Sequence, residues 1–172
     1  SGILFETTAT QDAGATRTFA IADVDEAGNE GAAATQTLNV DTLAPDAPSI
    51  DVAAGSDSGD SSTDNLSSDI TPEVVVDLTS TNAVVGDVVK VLSGGVQVGS
   101  FTLTQSEIDA NSVSITTSDL GADGAKTLTA TITDVAGNES TASSAVTYNL
   151  DTTAATATVT AATIPNTSNV TF

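Results

Sequence analysis

A chain of 172 residues with 23 Asp and Glu against 3 Lys and Arg carries a net charge of −20, and it has neither Cys nor His. That balance excludes nucleic acid and anionic membrane as partners, since both need clustered Lys and Arg. Without thiols or imidazoles there are no disulfides, no thiolate or imidazole metal sites and no Ser/His or Cys/His catalytic pair.

The acidic, Ser/Thr-rich composition is that of disordered chains, but a mean hydropathy of +0.12 and alternating Val, Ile and Leu argue for a folded one. No apolar run approaches the roughly 18 residues of a membrane span.

In chain order, a strand-like stretch at residues 17–21 leads into Asp25-Glu26-Ala27-Gly28-Asn29, which runs on to Asn39-Val40-Asp41-Thr42. The same succession returns at residues 126–132 and at Asp134-Val135-Ala136-Gly137-Asn138, displaced by 134 − 25 = 109 residues, and at Asn149-Leu150-Asp151-Thr152, displaced by 149 − 39 = 110. A period of that length is one small domain, so the pattern is of beads in tandem rather than a solenoid. The expected division is the C-terminal part of one domain (1–40), a complete domain (41–150) and the N-terminal part of another (151–172), an excerpt from a longer protein.

Two Ala-Pro pairs, Ala44-Pro45 and Ala47-Pro48, read as a stiff linker into the complete unit. Residues 49–52 form a first short strand, and residues 55–69 a polar Gly/Ser loop. Residues 73–78 follow as a strand with Val74, Val76 and Leu78 facing one way. Residues 87–92 are a third strand with Val89 and Val91 inward and Lys90 toward water. Ser93-Gly94-Gly95 signals a hairpin into residues 96–98 and 101–103. One helical turn is expected at residues 105–111, then strands at 113–115, 128–132 and 146–150, with Tyr148 in phase with Val146 and Leu150 as a core residue. About seven strands divided by turn signals make an all-β, seven-stranded immunoglobulin-like sandwich, without the Cys pair and Trp of antibody domains.

Strands A to G alternate in direction, which sorts the acidic loops by pole. Asp57, Asp60, Asp64 and Asp69 lie in the loop between A and B, and Asp123 in that between E and F. Both sit at the C-terminal pole beside Asp151. Asp134 and Asn138, on the F–G loop, and Asp87, at the end of the B–C loop, sit at the N-terminal pole beside Asp41. Asp25 holds the equivalent place in the preceding unit.

Oxygen-only ligands, several to a loop, suit a hard cation. Calcium takes six to eight oxygens, whereas magnesium demands a tighter octahedron. These residues are therefore the candidate calcium ligands. The spacing is not that of an EF-hand, because the twelfth position from Asp57 is Ser68, where a bidentate Glu is needed. Gly28 and Gly137 suit a positive-φ turn. Paired carboxylates for glycoside hydrolysis would need a walled cleft and stacking aromatics. With no Trp and one Tyr, an enzyme is not expected.

Together Asp41-Thr42-Leu43-Ala44-Pro45, Ser56-Asp57-Ser58-Gly59-Asp60 through Thr71-Pro72, Ala122-Asp123-Gly124, residues 128–138 and Asp151-Thr152 resemble the bacterial immunoglobulin-like repeats of giant surface adhesins, including the repeats-in-toxin adhesins of type I secretion. The likeness covers the complete unit and the first partial one. Residues 151–172 have Ala155 where proline is usual and lack the Ser-Asp-Ser-Gly loop.

The resemblance implies an extracellular extender at the bacterial cell surface, supporting adhesion or biofilm formation. Its partners would be neighbouring repeats, with calcium stiffening the junctions. Two alternatives are a self-assembling filament or surface-layer subunit, associating in trans through exposed strand edges, and a sugar- or surface-binding module.

Overall fold

The computed structural model describes residues 15–158, and the period-two segments become strands throughout. A hairpin comes first, β1 (Ala15–Ile21) antiparallel to β2 (Ala34–Val40). The complete unit then builds two facing sheets. One holds β3 (Ser49–Val52), β5 (Glu73–Asp77) and β8 (Ser112–Thr116), in the order β3-β5-β8. The other holds β4 (Leu66–Ser67), β6 (Val88–Ser93), β7 (Val96–Thr102), β9 (Gly124–Thr133) and β10 (Val146–Leu150), in the order β4-β10-β9-β6-β7. This is the all-β immunoglobulin-like sandwich.

Alternation decides what fills the space between the sheets. Val74, Val76, Val113 and Ile115 point inward from one sheet. Val89, Val91, Leu128, Ala130, Ile132, Tyr148 and Leu150 meet them from the other, all buried. The expected inward faces of the strands at 73–78, 87–92 and 146–150 are therefore those observed.

The helical turn is α1 (Gln105–Ala110), begun by a capping box in which Thr104 and Glu107 satisfy each other's backbone amides and ended by Asn111 at φ 53°. A capping box closes two otherwise orphaned amides, which lets so short a helix persist.

Two features differ from the sequence reading. The loop at 55–69 is not all loop, because Leu66 and Ser67 form β4 and pair in parallel with Asn149 and Leu150. A two-residue strand carries no alternation to detect. The segments at 96–98 and 101–103 join into the single strand β7, whose register against β6 shifts between Val91 and Leu92. The expected head of a further domain lies mainly in residues 159–172, outside the described residues.

Gly99 marks a close approach between the sheets. A Cβ there would stand 2.7 Å from Ile115 Cγ2, a branch methyl that χ1 stiffness holds in place. Gly99→Ala is expected to cost about 1–3 kcal/mol in denaturant unfolding, the usual cost of overpacking.

The ten residues of β9 span the sandwich. At 3.3–3.4 Å per residue this is about 33 Å. One end leads into the loop at 134–138 and the other, Gly124, pairs with Leu150, so the two linkers leave at opposite poles.

Candidate functional site at the two poles

The repeated phrase is a repeated geometry. Ala15 pairs with Val40 as Gly124 pairs with Leu150, and the bridge Val24–Glu30 answers Thr133–Glu139. In both loops one Asp organises the turn. Asp25 Oδ1 accepts the amides of Ala27 (2.9 Å) and Asn29 (2.8 Å), and its Oδ2 accepts the Asn29 side-chain amide (2.8 Å). Asp134 does the same with Ala136 (2.9 Å), Asn138 (2.8 Å) and the Asn138 amide (2.8 Å). Gly28 at φ 84° and Gly137 at φ 96° occupy the left-handed corner, as expected for both.

These hydrogen bonds favour the ionised carboxylates. The Asn29 side chain leads in holding Asp25 below the usual Asp value of 3.8. For Asp134 burial pushes upward, but the side chain and backbone of Asn138 outweigh it and the net shift is downward. A lowered folded value stabilises the fold above pH 3.8, and that contribution is lost as pH falls through the folded value. A carboxyl NMR titration of Asp134 is expected to show a midpoint below 3.8 with the Asn138 side-chain amide shifting in step.

At the C-terminal pole an open cleft of about 480 Å³ brings together Asp60, Asp64 and Asp151 with Ser58, Ser67 and Ser68. The adjoining Asp57 is only 3% exposed. Its Oδ2 accepts the Asn65 amide at 3.1 Å, and its Oδ1 is buried with no partner. Ser67 braces the loop by bonding Ser58 Oγ (2.7 Å) and accepting the Asp69 amide (3.1 Å). Asp69 Oδ1 accepts the Thr71 amide at 2.9 Å, while its carbonyl accepts the buried Tyr148 hydroxyl at 2.6 Å. Asp64 Oδ1 caps Leu66 at 3.1 Å.

Asp123 is engaged differently. Its Oδ1 accepts the Thr152 amide (2.9 Å) and hydroxyl (2.7 Å), and its Oδ2 accepts the Thr153 hydroxyl (2.7 Å). These bonds, Thr153 first, lower its pKa.

At the N-terminal pole a second cleft is lined by Asp41, Leu43, Asn82, Asp87, Asp134 and Val135. Asp87 is 1% exposed. Its Oδ2 accepts the Val84 amide at 2.9 Å, and its Oδ1 is buried without a partner. Asn138 donates its amide to the Asp41 carbonyl at 3.2 Å, tying the incoming linker to the loop. Asn82 was not among the sequence candidates. It donates to Asp46 Oδ2 at 2.9 Å and stands at φ 58°, a conformation Asn tolerates.

The poles thus bring Asp60, Asp64 and Asp151 around one cleft, with the buried Asp57 next in the chain to its lining residue Ser58, and Asp41, Asp87 and Asp134 around the other. Asp25 stays with its own hairpin, and Asp123 with the outgoing linker. Among the described residues no group of three acidic side chains is close enough to hold a metal ion as it stands.

A model of the bacterial Ig-like domain family matches residues 44–152, more than half of the chain. The chain belongs to that family. Bacterial Ig-like domains are typically non-catalytic structural modules and are often carried on exported surface proteins. The match runs from Ala44 to Thr152, so this bacterial Ig-like domain contains the C-terminal cleft and the start of the outgoing linker, while Asp41 and Leu43 of the N-terminal cleft come from the incoming linker just before it. No curated protein matches the chain. Among the described residues no helix is long and apolar enough to cross a membrane.

Proposed function

We propose that the chain is an extender segment of a bacterial surface adhesin of the repeats-in-toxin kind, a spacer of tandem domains whose junctions calcium stiffens outside the cell. The observation that carries this reading is the pair of buried carboxylates, Asp57 and Asp87, at opposite poles, each with one oxygen lacking any partner. Burying a charged oxygen unpaired is costly, and such groups are normally paired or bound to metal. Thr117 and Thr133 also have unpartnered hydroxyls, but a neutral hydroxyl costs far less to bury.

The donor set is chemically suited to calcium: carboxylate and amide oxygens on loops, with room for backbone carbonyls and water. Asp57, Asp60, Asp64 and Asp151 would hold an ion at the C-terminal pole. Asp87, Asp41 and the Asn138 amide oxygen would do so at the N-terminal pole, beside Asp134. Bound calcium would supply neutralising charge where a net −20 otherwise opposes compaction. Asp69 and Asp123 contribute by fixing loop and linker.

Calorimetric titration and small-angle scattering of the full chain test the reading. Calcium is expected to bind with measurable heat and to lengthen and narrow the distribution of dimensions relative to chelator. No heat and an unchanged maximum dimension would refute it.

A further inference from the structure

The two linkers share one local design. Asp41 Oδ1 accepts the amide of Leu43 at 3.1 Å, and Asp151 Oδ1 accepts that of Thr153 at 2.9 Å, so each Asp-Thr step opens with the same side-chain turn. Each is then gripped from a different side. The outgoing linker is held by the domain it leaves, through the Asp151 amide on the Ser67 carbonyl (2.9 Å) and three bonds from Thr152 and Thr153 to the Asp123 carboxylate. The incoming linker is held by the domain it enters, through the Asn138 amide on the Asp41 carbonyl.

We infer that the Asp-Thr linker is a two-sided hydrogen-bonded dowel: the upstream domain grips it with an Asp123-type carboxylate, the downstream domain with an Asn138-type amide, and the junction keeps a preferred angle with no ion bound.

The chemistry supports so small a device. Asp123 accepts three hydrogens on two oxygens, charge-assisted bonds of the stronger class. They fall on consecutive residues, so they fix both the backbone and the hydroxyls of the linker. Asn138 uses both hydrogens of its amide, one on Asp134 Oδ2 at 2.8 Å and one on Asp41 at 3.2 Å. Asp134 thereby aims the amide that grips the preceding linker, which gives the repeated phrase a task besides closing a turn. Thr occupies the second position of both linkers, Thr42 and Thr152, whereas the third position varies between Leu43 and Thr153.

The inference shares with the extender reading the tandem arrangement of units and the residues Asp41, Asp151 and Asn138, but it rests on their hydrogen bonds and calcium plays no part in it. It predicts a chain already biased toward one geometry in chelator, with ion binding adding stiffness to an angle that exists beforehand.

Backbone relaxation of the full 172-residue chain in excess chelator tests it. Order parameters at residues 151–153 are expected near the rigid value of about 0.85, falling below about 0.6 in Asp123→Ala. Asn138→Ala should loosen residues 41–43 and leave 151–153 unchanged. Thr152→Val combined with Thr153→Val removes the hydroxyls without touching the sandwich and should reproduce part of the Asp123→Ala effect, which covers the case of a variant that folds poorly. Residues 151–153 already mobile in the unsubstituted chain, or equally rigid in Asp123→Ala and the valine pair, would overturn the inference. A failed calcium titration alone would refute the stiffening proposal and leave this one standing.

Discussion

Leu128→Ala is expected to destabilise the complete domain by about 3–4 kcal/mol, within the usual range for a buried Leu cut to Ala. Leu128 has no exposed surface and lies on β9, which is paired on both sides, by β10 and by β6. Its cross-strand neighbours are Val146 on β10 and Ser93 on β6. The facing sheet has only three short strands, so it can collapse little toward a cavity. For a domain of this size the loss corresponds to a fall in melting temperature of about 10–20 °C. Val135→Ala, at a side chain 73% exposed on the next loop, should change stability by less than about 0.5 kcal/mol. Thermal and urea unfolding of the two variants side by side would show whether Leu128 is as central as its burial implies.

The second large effect concerns the ion. Calcium at a hundredfold excess over its dissociation constant is expected to stabilise the domain by about 2.7 kcal/mol per site. Asp57→Asn and Asp87→Asn should each abolish much of that gain. In chelator the same variants should lose little. An amide oxygen still accepts from the Asn65 or Val84 backbone, and the substitution removes a charge that is buried without a partner. Melting curves with calcium and with chelator separate the two cases. Equal calcium shifts in the unsubstituted chain and both variants would remove Asp57 and Asp87 from the ligand set.

Most of the sandwich was legible because its information is periodic. Val74, Val76 and Leu78, or Val89 and Val91 around Lys90, announce a face by alternation alone. What escaped is held by features without a period. β4 is two residues long and exists because Asn149 and Asp151 donate their amides to the Asn65 and Ser67 carbonyls. Along residues 140–143, Ser140 and Ser143 accept the Ile132 and Ala130 amides with their hydroxyls, substituting side-chain oxygens for strand carbonyls. The sequence shows only serines there.

The candidate site was legible as a set of acidic loops and as a division between poles, but not in rank. Nothing in the chain distinguishes Asp57 and Asp87, buried with an orphan oxygen, from Asp60, which is exposed. Burial is a tertiary property, set by which loop lies over which strand end. The sequence likewise marked Asp123 and Asp134 as acids without showing that their oxygens already accept hydrogen bonds from a linker and a turn.

The parallel pairing of β4 with β10 has a mechanical meaning. The chain enters at one pole and leaves at the other, so opposite pulls on its two ends reach β4 through β3 and reach β10 directly. The two strands would be drawn past each other along their common direction. In that geometry the Asn149–Asn65 and Asp151–Ser67 backbone bonds carry load together rather than opening one after the other. A strand too short to be seen in the sequence is thus placed where a stretched molecule would meet resistance.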